Sequence, residues 1–196
     1  MKKLLLCIIL SIGTLGYSMQ SRVALVPCAN EITTAAITNN ISSLKALLAD
    51  STCNINCQEP NFCEQKSIQH FVLHDHRIRP DGKIRYSQYT PLFYIIEGGN
   101  GIAFREFLKR KDINWNLTDS HGNNVLHIAV ARKRLSFLTD LLKKVDAKLI
   151  GQPDNYGVSP LKRAEYLLGH ATKENWPDKE QIEKITDLLT KKHVSQ

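Results

Sequence analysis

A period of 34 to 35 residues is the feature that most restricts what this chain can fold into. Similar segments occupy Tyr89–Ile95, Asn123–Ala129 and Val158–Ala164, and each carries Leu at its fourth position. An apolar pair follows the first two of these leucines after 15 residues, at Phe107–Leu108 and Leu141–Leu142. One helical pair cannot bury its apolar face alone, so this period indicates units that stack into one elongated core.

Local signals predict where the helices of each unit begin. Thr90–Pro91 and Ser159–Pro160 occupy the second and third positions of two of the segments. A hydroxyl caps a helix, and Pro fits its first turn, where no amide donor is needed. Turns of the form Asp-x-x-Gly precede two segments, at Asp119–Gly122 and Asp154–Gly157. The pattern predicts an all-α domain over residues 19–196 with four helix-turn-helix units, near 28–57, 86–116, 119–150 and 154–192.

This pattern resembles the ankyrin repeat, whose sequence runs Asp-x-x-Gly-x-Thr-Pro-Leu-His-x-Ala-Ala and ends in Leu-Leu. The third unit matches best. Asn124 and Val125 replace the Thr-Pro pair there, and the family residues are kept at Asp119, Gly122, Leu126, His127, Ala129, Leu141 and Leu142. The resemblance covers roughly residues 28–192. It implies an ankyrin-repeat solenoid of stacked helix-turn-helix units, a structural hydrogen-bonding role for His127, and a protein-protein interaction module rather than an enzyme.

The resemblance also implies a binding face. Members of the family bind partners on the concave side, through the turn tips and the exposed ends of the inner helices. The residues carried over to these positions are Tyr86, Tyr89, Ser120, His121, Asn123, Arg132, Asn155, Tyr156 and Tyr166. Tyr and Arg commonly anchor protein interfaces because they combine large contact area with polar reach. We therefore expect a monomeric chain that binds a protein partner and needs no cofactor.

An insertion of about 27 residues, near 58–85, separates the first unit from the second. Pro80-Asp81-Gly82 predicts a tight turn, and alternating residues on either side of it predict a β-hairpin. Ile78 and Ile84 are expected to face the stack. The opposite side of this finger is basic, with Arg77, Arg79, Lys83 and Arg85. A second insertion, Gly169–Pro177, is expected to separate the helices of the last unit.

The first 18 residues have the layout of a secretory signal. A basic start, Met1–Lys3, precedes an apolar run of 13 residues, Leu4–Gly16, and small residues follow before a cleavage site near Met19. An apolar run of this length is too short to span a bilayer. We therefore expect a signal peptide at 1–18 and a secreted or periplasmic mature protein without a membrane-spanning segment.

Export changes how the cysteines are interpreted. Four remain after Cys7 is removed, namely Cys28, Cys53, Cys57 and Cys63, and an even count in an oxidising compartment predicts two disulfides. Three connectivities are possible. Cys28–Cys53 with Cys57–Cys63 is preferred, because a helical hairpin brings the start of its first helix near the end of its second. The alternative is a zinc site that uses Cys53, Cys57, Cys63 and His70, although their spacing matches no common zinc module.

The net charge and the motif content of the chain argue against nucleic-acid binding and catalysis. The net charge of +7 falls to +5 without Lys2 and Lys3, a surplus that permits an anionic partner without requiring one. Basic clusters such as Lys109–Lys111 are expected at helix ends, where cations suit the helix dipole, so we expect no nucleic acid partner. No nucleophile elbow, phosphate-binding glycine loop or His-Glu-x-x-His motif occurs. A host-directed effector role would rest on family analogy alone.

Overall fold

The computed structural model describes residues 27–58 and 89–195. The predicted signal peptide at 1–18 lies outside this range. So do the predicted hairpin finger with Arg77, Arg79, Lys83 and Arg85, and the predicted site residues Cys63, His70 and Tyr86. These predictions therefore keep the status of expectations.

Regular structure in the described residues is helical, which confirms the all-α prediction for this part of the chain. The helices are α1 Pro27–Ile37, α2 Ile41–Ala49, α3 Pro91–Gly98, α4 Gly101–Phe107, α5 Val125–Ala131, α6 Leu135–Leu141, α7 Lys148–Gly151, α8 Pro160–Lys173 and α9 Lys179–Val194. Within the described ranges, none of them is both long enough and apolar enough to cross a membrane.

The helix starts follow the predicted capping chemistry. Thr90 Oγ1 accepts a hydrogen bond from the Phe93 amide at 3.3 Å, and Ser159 Oγ accepts one from the Lys162 amide at 3.2 Å. Asn124 takes over this role in the third unit, where its Oδ1 accepts hydrogen bonds from the Leu126 and His127 amides at 3.0 and 3.2 Å. An asparagine side chain caps a helix about as well as a hydroxyl, so the departure from Thr-Pro leaves the local structure intact.

The helices pack as pairs in chain order. The first helices form one row, because α1 contacts α3, α3 contacts α5, and α5 contacts α8. The second helices lie behind them, where α2 contacts α4 and α6 contacts α9. The Phe104 and Phe137 rings stack between α4 and α6 with centroids 4.2 Å apart. Leu44, Ile95 and Leu126 are fully buried along this arrangement, so each pair covers the apolar face of its neighbour.

The predicted break at Gly169–Pro177 is wrong in its first half. Helix α8 continues through Gly169 to Lys173, about twice the length of α5, and only Glu174–Asp178 link it to α9. A glycine inside a helix costs about 1 kcal/mol relative to alanine. Ala171 is fully buried in this extension, and the packing of α8 against α9 offsets that cost.

Candidate functional site

Two turns of the same geometry precede α5 and α8. Asp119 Oδ1 accepts hydrogen bonds from the His121 and Asn123 amides at 2.8 and 2.9 Å. Asp154 Oδ1 accepts the equivalent bonds from the Tyr156 and Val158 amides at 2.9 and 3.0 Å. Both carboxylates are buried. The sequence pattern Asp-x-x-Gly therefore produces a rigid turn whose tip is held by a carboxylate beneath it.

The tips of the two turns contact each other. The Asn155 amide donates to the His121 carbonyl at 2.8 Å, and Asn155 Nδ2 donates to the Ser120 carbonyl at 3.1 Å. The His121 and Tyr156 rings lie 6.0 Å apart. The structure thus brings together four predicted partner-binding residues, Ser120, His121, Asn155 and Tyr156, in one row of turn tips.

His127 joins the third unit to the turn of the fourth. Its Nδ1 accepts a hydrogen bond from the Asn124 amide at 3.1 Å, and its Nε2 lies 2.9 Å from the Val158 carbonyl. A neutral ring that donates from Nε2 satisfies both contacts. Burial lowers the pKa of His127 to about 4, because desolvation penalises the imidazolium, and the Val158 carbonyl opposes this only in part. The role expected for His127 from the sequence is therefore visible as a neutral link between units.

Two ion pairs lie near this region, one at the C-terminal ends of α3 and α5 and the other between the second turn and α8, and in each the carboxylate is the buried member. The Arg132 guanidinium contacts the Glu97 carboxylate, with Nε to Oε1 at 2.9 Å, and the side chains are 35% and 4% exposed. Arg163 Nη2 donates to Asp154 Oδ2 at 2.7 Å, with exposures of 25% and 1%. Burial raises the pKa of Asp154, but the hydrogen bonds from Val158 and Tyr156 and the charge of Arg163 hold it below its usual value. The solvent-facing part of both pairs is the cation.

An aromatic stripe runs along the exposed side of α8. Arg163, Tyr166 and His170 occupy positions i, i+3 and i+7, which share one face of a helix. The Tyr166 and His170 rings lie 4.4 Å apart, and Trp176 follows 6.4 Å beyond His170. The Lys133 ammonium lies 4.8 Å from the centre of the Trp176 ring. Tyr166 itself is 67% exposed.

Sequence reasoning missed Arg163, His170 and Trp176 as neighbours of the predicted face. The spacing of Arg163 and His170 around Tyr166 is a readable signal once α8 is known to continue past Gly169. Trp176 had no such signal, because its contact with Lys133 joins residues far apart in the chain.

The predicted partner-binding residues Tyr89 and Asn123 are buried in this structure. The Tyr89 ring packs edge-on against Phe93 and Tyr94, with centroids 5.6 and 5.1 Å apart. Asn123 Nδ2 donates to Asp119 Oδ2 at 2.9 Å beneath the turn. Both side chains support the surface from below, whereas Arg132, Tyr156 and Tyr166 reach it.

Three predicted cysteines, Cys28, Cys53 and Cys57, lie in the described range, and Cys28 belongs to the first turn of α1. Cys53 is buried and Cys57 is half-buried after the end of α2. Within residues 27–58 and 89–195, no group of three His, Cys, Asp or Glu side chains is placed to hold a metal ion. The Cys57–Cys63 pair and the alternative zinc site both depend on residues outside this range, and the disulfide pattern as a whole stays a prediction.

Comparison with known proteins shows a local similarity. No protein-family model matches the chain. Phosphocholine transferase AnkX of Legionella pneumophila is 38% identical to it over 77 residues. The match covers 38% of this chain but only 8% of AnkX. The chain therefore resembles a small part of AnkX, and the similarity does not bear on the activity of the complete AnkX protein.

Proposed function

We propose that the chain is an exported ankyrin-repeat module that binds another protein through the row of turn tips, the C-terminal end of α5 and the exposed side of α8. We call this surface the binding face. It consists of Ser120, His121, Arg132, Asn155, Tyr156, Arg163 and Tyr166. The proposal assigns the chain no catalytic step and no cofactor, since its mechanism is the rigid presentation of side chains.

The observation that carries this proposal is the repeated turn geometry of Asp119 and Asp154. The two turns are built alike and are bonded tip to tip through Asn155. Side chains on such a scaffold lose little conformational freedom when a partner arrives, so less of the contact energy is spent on ordering them. Tyr156 and Tyr166 are 73% and 67% exposed, and tyrosine side chains often anchor protein interfaces.

The local similarity to AnkX is compatible with this proposal. Its 77 matched residues are about the length of two of the 34 to 35-residue units in this chain. Export rests on the signal-like layout of residues 1–18, and the host-directed role of an effector remains an extension of the same proposal.

Site-specific photo-crosslinking tests the binding face while the partner is still unidentified. A photoreactive phenylalanine analogue replaces Tyr156 or Tyr166 in the full chain, and adducts are collected from the native extracellular or host environment. Ile102 on α4 is the matched control, because it is another exposed large apolar side chain and belongs to the second row of helices. We expect the same protein adduct from positions 156 and 166 and none from position 102. Equal labelling from all three positions would contradict the proposal.

A further inference from the structure

We propose that the binding face selects an acidic segment of its protein partner, which it holds by arginine–carboxylate hydrogen bonds between tyrosine side chains. This inference rests on the proposed function and adds the chemistry of the partner to it.

The first argument is the direction of the ion pairs on this face. Arg132 and Arg163 come from successive units, and each is several times more exposed than the carboxylate that holds it. The buried carboxylates of Glu97 and Asp154 fix the two guanidinium groups in place. An approaching partner therefore meets fixed cations, while the acids that balance them are covered.

The second argument is the donor capacity of Arg163. A guanidinium carries five N–H donors and no acceptor, and Arg163 gives one Nη2 bond to Asp154 Oδ2. Its other N–H groups can donate hydrogen bonds to a ligand. A planar guanidinium matches a carboxylate in a two-bond arrangement, which makes such pairs stronger and more directional than neutral hydrogen bonds.

The third argument is the aromatic surround. Tyr156 stands on the turn that contains Asp154, and Tyr166 follows Arg163 by three residues on the same side of α8. Both rings can cover a bound peptide on either side of the guanidinium and exclude water from its hydrogen bonds. Glu165 is exposed on α8, but it follows Arg163 by two residues and points about 200° away around the helix, so it does not repel an acid bound at Arg163.

A peptide is favoured over a nucleic acid by the charge balance. Each guanidinium on this face is compensated by its own carboxylate, so the arginines among the described residues of the face do not form the continuous positive stripe that binds phosphate backbones. Local hydrogen bonding to individual carboxylates remains available. The face therefore suits Asp and Glu side chains on a peptide more than a uniformly charged polymer.

Selection from a random peptide library displayed on phage tests this inference. The full chain is the bait, and the Tyr156→Ala/Tyr166→Ala double variant and the Ile102→Ala variant are screened in parallel. Both tyrosines and Ile102 are exposed, so both variants are expected to keep the thermal unfolding midpoint of the parent. We expect enriched peptides to be rich in Asp and Glu, to be retained by Ile102→Ala, and to be lost by the double variant. Replacing the acids of a selected peptide by their amides should weaken its binding about tenfold.

Each other outcome overturns the inference. Peptides that depend on the face but are neutral or basic would refute the acidic preference and leave the proposed function standing. Displacement of the peptides by oligothymidine that binds the face with equal strength would also refute the preference for an acidic peptide and leave the proposed function standing. If no peptide depends on Tyr156 and Tyr166, the inference fails, and the crosslinking experiment decides the proposed function separately.

Discussion

Acidification is predicted to destabilise the chain through His127. This side chain is fully buried between the third and fourth units, and its pKa is lowered from 6.5 to about 4 by burial. The unfolded chain therefore binds more protons than the folded chain between these two values. Stability contributed by the neutral ring is complete above about pH 6.5, declines as the pH falls, and its loss levels off near pH 4.

The size of this effect follows from the pKa difference. One pKa unit corresponds to about 1.4 kcal/mol, so the shift of His127 from 6.5 to about 4 is worth about 3 kcal/mol. Asp154, whose pKa is lowered from 3.8, begins to lose its contribution only as the pH falls below about 5. The window between pH 6.5 and about pH 5 therefore reports mainly on the histidine.

Urea unfolding followed by far-UV circular dichroism, repeated from neutral pH down to about pH 4, measures this loss. The His127→Gln variant should be less stable at neutral pH and should lose much less of its remaining stability on acidification. His121→Gln is the matched control, because His121 lies at a turn tip and reaches the surface, and it should follow the parent. A loss below about 1 kcal/mol in the parent, or an equal loss in His127→Gln, would refute the reasoning.

Three further predictions follow from the packing and from the proposed export. Gly122→Ala should lower the free energy of unfolding in urea by at least about 1 kcal/mol more than Gly157→Ala does. Both glycines have φ of +78°, so the backbone strain of the two substitutions is alike. A Cβ at Gly122 would lie 2.9 Å from the Asn155 backbone nitrogen, whereas a Cβ at Gly157 would have no atom within 4 Å. Equal costs would mean that the turn tips do not dock as described. Leu126→Ala should cost about 2 to 5 kcal/mol, because Leu126 is fully buried, whereas Ile102→Ala should change stability by less than about 1 kcal/mol. Intact mass of the protein collected from its native source, with and without reduction and alkylation, should show a chain that begins near Met19 with its four cysteines protected. A full-length chain with reactive thiols would contradict export and would make zinc analysis the next step.

The part of the fold that could be predicted from the sequence is the part that depends on local chemistry. Thr90, Ser159 and the Asp-x-x-Gly turns act within a few residues of themselves, so their hydrogen bonds follow from residue type and spacing. The period between units then fixes which helices stack. The end of α8 could not be predicted in this way, because Gly169 suggests a break and only the burial of Ala171 against the rest of the chain explains why the helix continues.

The binding face could be predicted only in outline. Family positions locate Tyr89 and Asn123 at the turns, but they do not report which side chain a neighbour covers, and both are buried here. The pairing of Arg163 with Asp154 and the contact of Lys133 with Trp176 arise when units stack. Such contacts join distant residues, and one sequence carries no signal for them.

The affinity of the partner found by crosslinking tests the central claim most directly. Its dissociation constant would be measured for the parent chain, for Ile102→Ala and for the Tyr156→Ala/Tyr166→Ala double variant. If these tyrosines anchor the interface, binding to the double variant should be at least about tenfold weaker, while Ile102→Ala binds as the parent does. Equal affinity of all three proteins would contradict the claim that this face binds the partner.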